Sequence, residues 1–187
     1  DGDPVGLMKD ISGRDNHASQ SVSGARLVYR TDGTHHWLEG AGTQALGTPL
    51  QMSTLNNRTA IVGLKSDSTD IQFFYADVNV QSSGQFWAFV RTTGGERFVI
   101  SRETTDTVSV GFDPFVAQQT YGDATDGNFY TYNGVGGSLD AGELTSVSAR
   151  LALMNRAPTA TWGVIGNFYG AVILADSALP EDSEALH

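Results

Sequence analysis

The chain has 187 residues, of which 40% are hydrophobic, 10% aromatic and 17% charged, with 22 glycines, 5 prolines and no cysteine. That is enough apolar material for one real core and too little charge for a disordered polymer, and the zero cysteine count excludes a disulfide framework and any thiolate metal site. The formal net charge of −10, with no local Lys/Arg cluster against it, disfavours nucleic acid and anionic membranes as partners and leaves glycans, cations or other protein subunits.

In chain order, the β-prone runs Arg26 to Arg30 and His35 to Glu39 flank Thr31-Asp-Gly-Thr34, and Asp-Gly between such runs predicts a hairpin. Arg58 to Leu64 and Ile71 to Tyr75 read as further strands across a polar turn. Gln85 to Arg91 and Arg97 to Ser101 form a second expected hairpin, because Gly94-Gly95 supplies the positive φ angles of a tight turn. Its apolar residues fall on both faces, which predicts a place in the middle of a sheet covered on both sides.

Val108, Val110 and Phe112 alternate with small or polar residues, and Asn128 to Tyr132 behaves similarly, with Tyr130 and Tyr132 on one side. Leu144 to Met154 reads as a loosely alternating strand. Thr161 to Ala175 is the longest apolar stretch, and its three interior glycines predict two strands joined near Gly166-Asn167 rather than a helix. Ser177 to Leu186 is the single helix signal, with Pro180 suited to the first turn and acids after it.

These elements predict one all-β domain over 1–187, a two-sheet antiparallel sandwich with a short C-terminal helix. No stretch reaches the roughly 18 apolar residues of a membrane helix. The start at Asp1, without an initiator Met or leader-like pattern, suggests a domain cut from a longer protein or a processed end.

Two segments carry a family resemblance. Asp10-Ile-Ser-Gly-Arg-Asp-Asn-His-Ala18 with the strand and step that follow it to Glu39, and Gly166-Asn-Phe-Tyr-Gly-Ala-Val-Ile-Leu174 with Ala178 to Glu184, resemble the opening and closing elements of concanavalin A-like, laminin G-like jelly-roll domains. The closing strand is similar to that of domains in phage tail and other virion proteins and in bacterial surface proteins. The resemblance implies a jelly-roll module that binds host glycans or serves as a purely structural subunit contact, on a virion or at the cell surface. At Gly40-Ala-Gly-Thr43 the chain lacks acids that many relatives carry, which weakens an inherited calcium site.

Several constellations bear on chemistry. Asp10 and Asn16 offer oxygens to a calcium ion, or serve only as turn formers. The acid-rich turn holding Asp123, Asp126 and Asn128 has oxygens spaced to wrap calcium, or is a solvated turn. His35 and His36, adjacent in a strand, point to opposite faces and do not share an ion.

Sugar recognition needs an aromatic platform beside fixed polar groups, and Tyr121, Asn128, Tyr130, Tyr132 and Asn133 are the residues expected to form one, unless the tyrosines are core. Trp87 and Trp162 sit in apolar runs and are expected in the core. No strand carries carboxylates at alternate positions, no serine elbow occurs and there is no thiol, so the chain is expected to be no enzyme. Reducing-sugar and unsaturated-product assays address a polysaccharide-cleaving alternative.

Overall fold

The computed structural model describes residues 1–51, 57–77, 87–92, 95–100, 103–108, 114–121, 128–138, 150–155 and 162–174. The strands are β1 (Pro4–Val5), β2 (Leu7–Met8), β3 (Ala18–Ser19), β4 (Leu27–Thr31), β5 (His36–Ala41), β6 (Leu46–Gln51), β7 (Arg58–Ser66) and β8 (Gln72–Asp77). They continue with β9 (Trp87–Thr92), β10 (Gly95–Ile100), β11 (Glu103–Val108), β12 (Phe115–Tyr121), β13 (Asn128–Tyr132), β14 (Val135–Ser138), β15 (Arg150–Leu153) and β16 (Ile165–Leu174). One sheet runs β1-β4-β5-β16-β7-β12-β13-β14 and the other β11-β10-β9-β8-β15-β6-β3-β2, each of eight strands. The expected two-sheet antiparallel β-sandwich is what forms.

Alternation along the strands decides the core. In β7, Ala60, Val62 and Leu64 face inward, opposite Phe115 and Ala117 of β12 in register, with Phe168 of β16 beside them. The second sheet answers with Phe74 and Tyr75 of β8, Phe89 of β9 and Leu151 and Leu153 of β15. Phe74 stacks on Phe89 at 4.8 Å, and Phe115 meets both edge-on at 5.8 and 5.9 Å, so one ring from the first sheet locks into a pair from the second. Fully burying each such side chain contributes on the order of 1.5–3 kcal/mol. Tyr75 Oη donates to Gln119 Oε1 at 2.5 Å, a hydrogen bond that ties the two sheets inside the core.

Both expected hairpins are present, β4 with β5 and β9 with β10. At the first, Asp32 Oδ1 accepts from the backbone N–H of His35 at 2.7 Å and of Thr34 at 2.9 Å, while Gly33 sits at φ 92°. The backbone N–H of His35, then that of Thr34, hold the Asp32 carboxyl well below the usual carboxylate range.

The last strand differs from expectation. Ile165 to Leu174 is one continuous strand, not two, paired with β5 through its first part and with β7 throughout. Gly166 does not break it. A side chain there would place its Cβ 2.1 Å from the Lys65 carbonyl oxygen, so the glycine is required by close strand approach. A register shift between Phe168 and Gly170 is absorbed as a bulge. Trp162, expected in the core, is 38% exposed and stacks on Phe73 at 6.1 Å. The expected C-terminal helix, the side chain of Trp87, Val110, Phe112 and residues 144–149 lie outside the described residues.

Three outcomes test this account. Gly166→Ala lowers stability by at least about 2 kcal/mol in urea titrations, whereas Gly24→Ala, where a Cβ meets nothing within 4 Å, stays within about 0.5 kcal/mol. Tyr75→Phe costs about 1 kcal/mol at neutral pH by removing the hydrogen bond to Gln119 Oε1. Burial raises the Tyr75 hydroxyl well above its ordinary value of 10.0, so above that pH the unfolded chain loses a proton that the folded one keeps, and wild-type stability falls. The Phe variant lacks that loss, and its deficit narrows in alkaline urea titrations. Asp32→Asn keeps the turn's acceptor without the charge; it is less stable at pH 7, and the gap to wild type closes as pH falls below the ordinary 3.8 towards the depressed native value.

Candidate functional site

The sequence-expected residues fall at one edge of the first sheet. Tyr121 of β12 pairs with Asn128 of β13, and Gln119 and Ala117 pair with Tyr130 and Tyr132. Tyr130 and Tyr132 are half-buried and lean on the core, Tyr132 at 5.1 Å from Phe115, and Tyr130 lies over Gly137 of β14. Asn133 is exposed at φ 48°, with Oδ1 accepting from the Val116 N–H at 2.9 Å. Asp123 and Asp126 and the side chains of Tyr121 and Asn128 lie outside the described residues.

Asp10 is occupied locally. Its carboxylate accepts from Ser12 N–H at 2.8 Å, Ser12 Oγ at 2.9 Å and Asn16 N–H at 3.0 Å. His36 stacks on Tyr29 with centroids 5.9 Å apart, while His35 is exposed and bonds Asp32 at 3.1 Å, so the two rings part as their adjacency predicts. Among the described residues, no group of three or more His, Cys, Asp or Glu is placed to hold a metal ion.

A different set of polar and aromatic groups converges on the outer face of the first sheet. Because Leu38 and Phe168 point into the core, their neighbours Trp37, Glu39, Asn167 and Tyr169 point out. Register then brings them together. Glu39 is directly opposite Asn167, Asn167 opposite Lys65, and Arg30 opposite Trp37, which puts each pair within about 5.5 Å between Cβ atoms.

Trp37 is half-buried and Tyr169 is 40% exposed. Arg30 Nε donates to Glu39 Oε2 at 2.6 Å and Lys65 Nζ to Asp67 Oδ1 at 2.7 Å, so each cation is oriented by a neighbouring carboxylate. Asn167 Nδ2 lies 3.4 Å from Tyr169 Oη. The start of β16 is fixed from the second sheet, where Gln72 Oε1 accepts from the Ile165 N–H at 2.9 Å and from Ser66 Oγ at 3.3 Å. Gln72 Nε2 and Arg91 Nη1 both donate to the Ser68 carbonyl, at 3.0 and 2.5 Å.

Such a surface pairs ring faces with donors and acceptors at fixed spacing, which is what a sugar presents in reverse: apolar C–H faces rimmed by hydroxyls. Sequence reading missed Trp37, Glu39, Asn167 and Tyr169 as a group. Their alternation with Leu38 and Phe168 is visible locally, but the pairing that joins residue 39 to 167 is not.

No protein-family model matches this chain, and no curated protein sequence matches it. Solved structures do. A Trypanosoma rangeli sialidase in complex with 2,3-difluoro-KDN is 11% identical with a TM-score of 0.71, over 99% of this chain and 31% of that one. The same organism's sialidase in complex with sialic acid is 10% identical with a TM-score of 0.71, over 98% and 31%. The Ruminococcus gnavus IT-sialidase CBM40 bound to alpha2,3 sialyllactose is 13% identical with a TM-score of 0.57, over 80% of this chain and 95% of that one.

This chain therefore spans about a third of the length of the T. rangeli sialidase chains, and at these identities the likeness is one of fold. It corrects the expectation that the chain is no enzyme, because structures sharing the fold include sialidases, which are enzymes. The physical reason is that sialidases use a tyrosine nucleophile, which a search for strand carboxylates, a serine elbow or a thiol does not register. A fold also hosts unrelated sites, so missing motifs decide little.

Proposed function

We propose that this chain is a glycan-binding β-sandwich, of the laminin G-like jelly-roll kind, that receives its sugar on the outer face of the first sheet and works in a protein directed at sialylated glycans outside the cell or on its surface. The observation that carries the reading is Trp37 and Tyr169 on that face beside Arg30, Glu39, Asn167 and Lys65, positioned by register rather than by a mobile loop. The structural neighbours in complex with sialic acid and sialyllactose support the choice of glycan. The virion setting suggested by the sequence resemblance finds no such support.

A second platform, the one expected around Tyr130, Tyr132 and Asn133 with Tyr121 and Asn128, is favoured by the half-exposed Tyr130 lying over the bare Gly137. A calcium ion held by Asp123, Asp126 and Asn128 belongs with that second platform, and calorimetry with calcium tests it. Contact with other subunits is favoured by Val172 and Leu174, both exposed on the outer face.

A glycan array followed by titration calorimetry decides among these. Wild type binds sialylated glycans, and Trp37→Ala or Tyr169→Ala weakens binding about tenfold, the equivalent of about 1.4 kcal/mol. Binding by no glycan at all defeats the reading. Loss with Tyr130→Ala but not with Trp37→Ala moves the site to the β13 platform, and a stable oligomer that binds no sugar favours subunit contact.

A further inference from the structure

The outward groups at the junction of β5 and β16 sort by chemistry. Glu39 and Asn167 are a directly opposed pair, and Trp37 and Tyr169 stand one step beyond the last pair of that ladder, Leu38 with Phe168. Neighbouring strands lie about 5 Å apart and two residues along a strand span about 7 Å, so the four side chains mark out a rectangle that a single pyranose ring covers. Two aromatic rings hold one end, and a carboxylate across from an amide holds the other.

Much of the hydrogen-bonding capacity of these four residues is unused. Among the described residues, Glu39 meets one partner, Arg30 Nε at its Oε2, which leaves Oε1 open. Asn167 has a single contact, 3.4 Å from its Nδ2 to Tyr169 Oη, and Trp37 has no hydrogen bond or ring contact. An acceptor-only carboxylate thus lies across from an amide that both donates and accepts, and the Trp37 indole adds a second donor.

The cations of this face are in the opposite condition. Arg30 gives its Nε to Glu39, and its Nη1 lies 4.0 Å from Asp1 Oδ2. Lys65 gives an N–H to Asp67 at 2.7 Å and makes a further interaction besides. A ligand carboxylate would have to displace these partners and would meet Glu39 as a like charge. A hydroxyl is donor and acceptor at once, so it fits between a carboxylate and an amide without displacing either.

We infer that Trp37, Glu39, Asn167 and Tyr169 form the specificity-determining subsite of the glycan-binding face, and that the ring it takes is a neutral hexose with adjacent hydroxyls. The ring's C–H groups lie on Trp37 and Tyr169, one hydroxyl donates to Glu39 Oε1 and the next accepts from Asn167 Nδ2. This rests on the glycan-binding reading above and adds which part of a sialylated chain the face grips: the uncharged sugar that carries the sialic acid, rather than the acid. Arg30 is a positioning residue, holding one oxygen of Glu39 and leaving the other for the sugar.

The test titrates lactose and 3′-sialyllactose into the whole chain by calorimetry. Wild type binds both, with affinities within about threefold of each other. Glu39→Gln weakens lactose at least about fivefold, because an amide oxygen accepts more weakly than a carboxylate. The same change frees Arg30 of its acid, so the variant prefers 3′-sialyllactose over lactose by more than about threefold, a reversal that a merely structural role of Glu39 would not produce. Its melting temperature stays within about 3 °C of wild type, since the ion pair is partly exposed. Asn167→Ala weakens both sugars at least about fivefold.

A wild-type preference for 3′-sialyllactose beyond about threefold overturns the inference, and so does a smaller loss of lactose binding by Glu39→Gln in a chain that Trp37→Ala weakens, or an equal loss of both sugars by Glu39→Gln. Binding of some other glycan but of neither of these sugars overturns it as well. In those outcomes the broader reading stands. If wild type binds no glycan at all, the broader reading fails with it. Should Glu39→Gln not fold, the two sugars on wild type and Asn167→Ala decide alone.

Discussion

β16 lies between β5 and β7 in the middle of its sheet, and the bulge between Phe168 and Gly170 determines what its outer face carries. Strict alternation would send Phe168 inward, Tyr169 outward and Gly170 inward again. The extra residue lets Phe168, 1% exposed, reach the core, and then places both Tyr169 and Gly170 outward before Ala171 resumes core packing. One irregularity in one strand thus supplies an aromatic ring and the bare backbone beside it. The polar groups opposite follow from register: Glu39 because Leu38 is in the core, Lys65 because Leu64 is.

That dependence has an energetic side. The rings of Phe74, Phe89 and Phe115 interlock the two sheets and fix β7 and β12, against which β16 is read. A binding face built from a central strand of such a sandwich inherits the rigidity of the core, because moving an outward side chain means moving its inward neighbour out of close packing. The exposed ion pairs on the face add orientation more than stability.

Much of the fold is legible in the sequence, for local reasons. Asp32-Gly33 announces the first hairpin because the carboxylate caps two backbone amides and the glycine takes a positive φ, both within four residues. The shared side of Tyr130 and Tyr132 is legible too, although alternation leaves open which side meets the core. β16 misleads for the opposite reason: Gly166 looks like a break, yet its glycine answers a strand far away in sequence, whose Lys65 carbonyl leaves no room for a side chain. The face of Trp37, Asn167 and Tyr169 is invisible for the same cause, since it exists only once residues more than a hundred positions apart are in register. The enzyme question misled differently, because motif absence speaks only to the chemistries whose motifs are known.

The edges of the two sheets bear on how such a surface survives in solution. Apolar residues exposed on a sheet usually threaten strand-to-strand polymerisation; Tyr169, Val172 and Leu174 belong to a strand that is paired with β7 along this stretch and with β5 only as far as Phe168. The outermost strands are β1 and β2, of two residues each, the four-residue glycine-containing β14, and β11, which carries Glu103 and Asp106. Short, charged or glycine-rich borders are poor templates for a further strand. A net charge of −10 also sets like copies of the chain against one another.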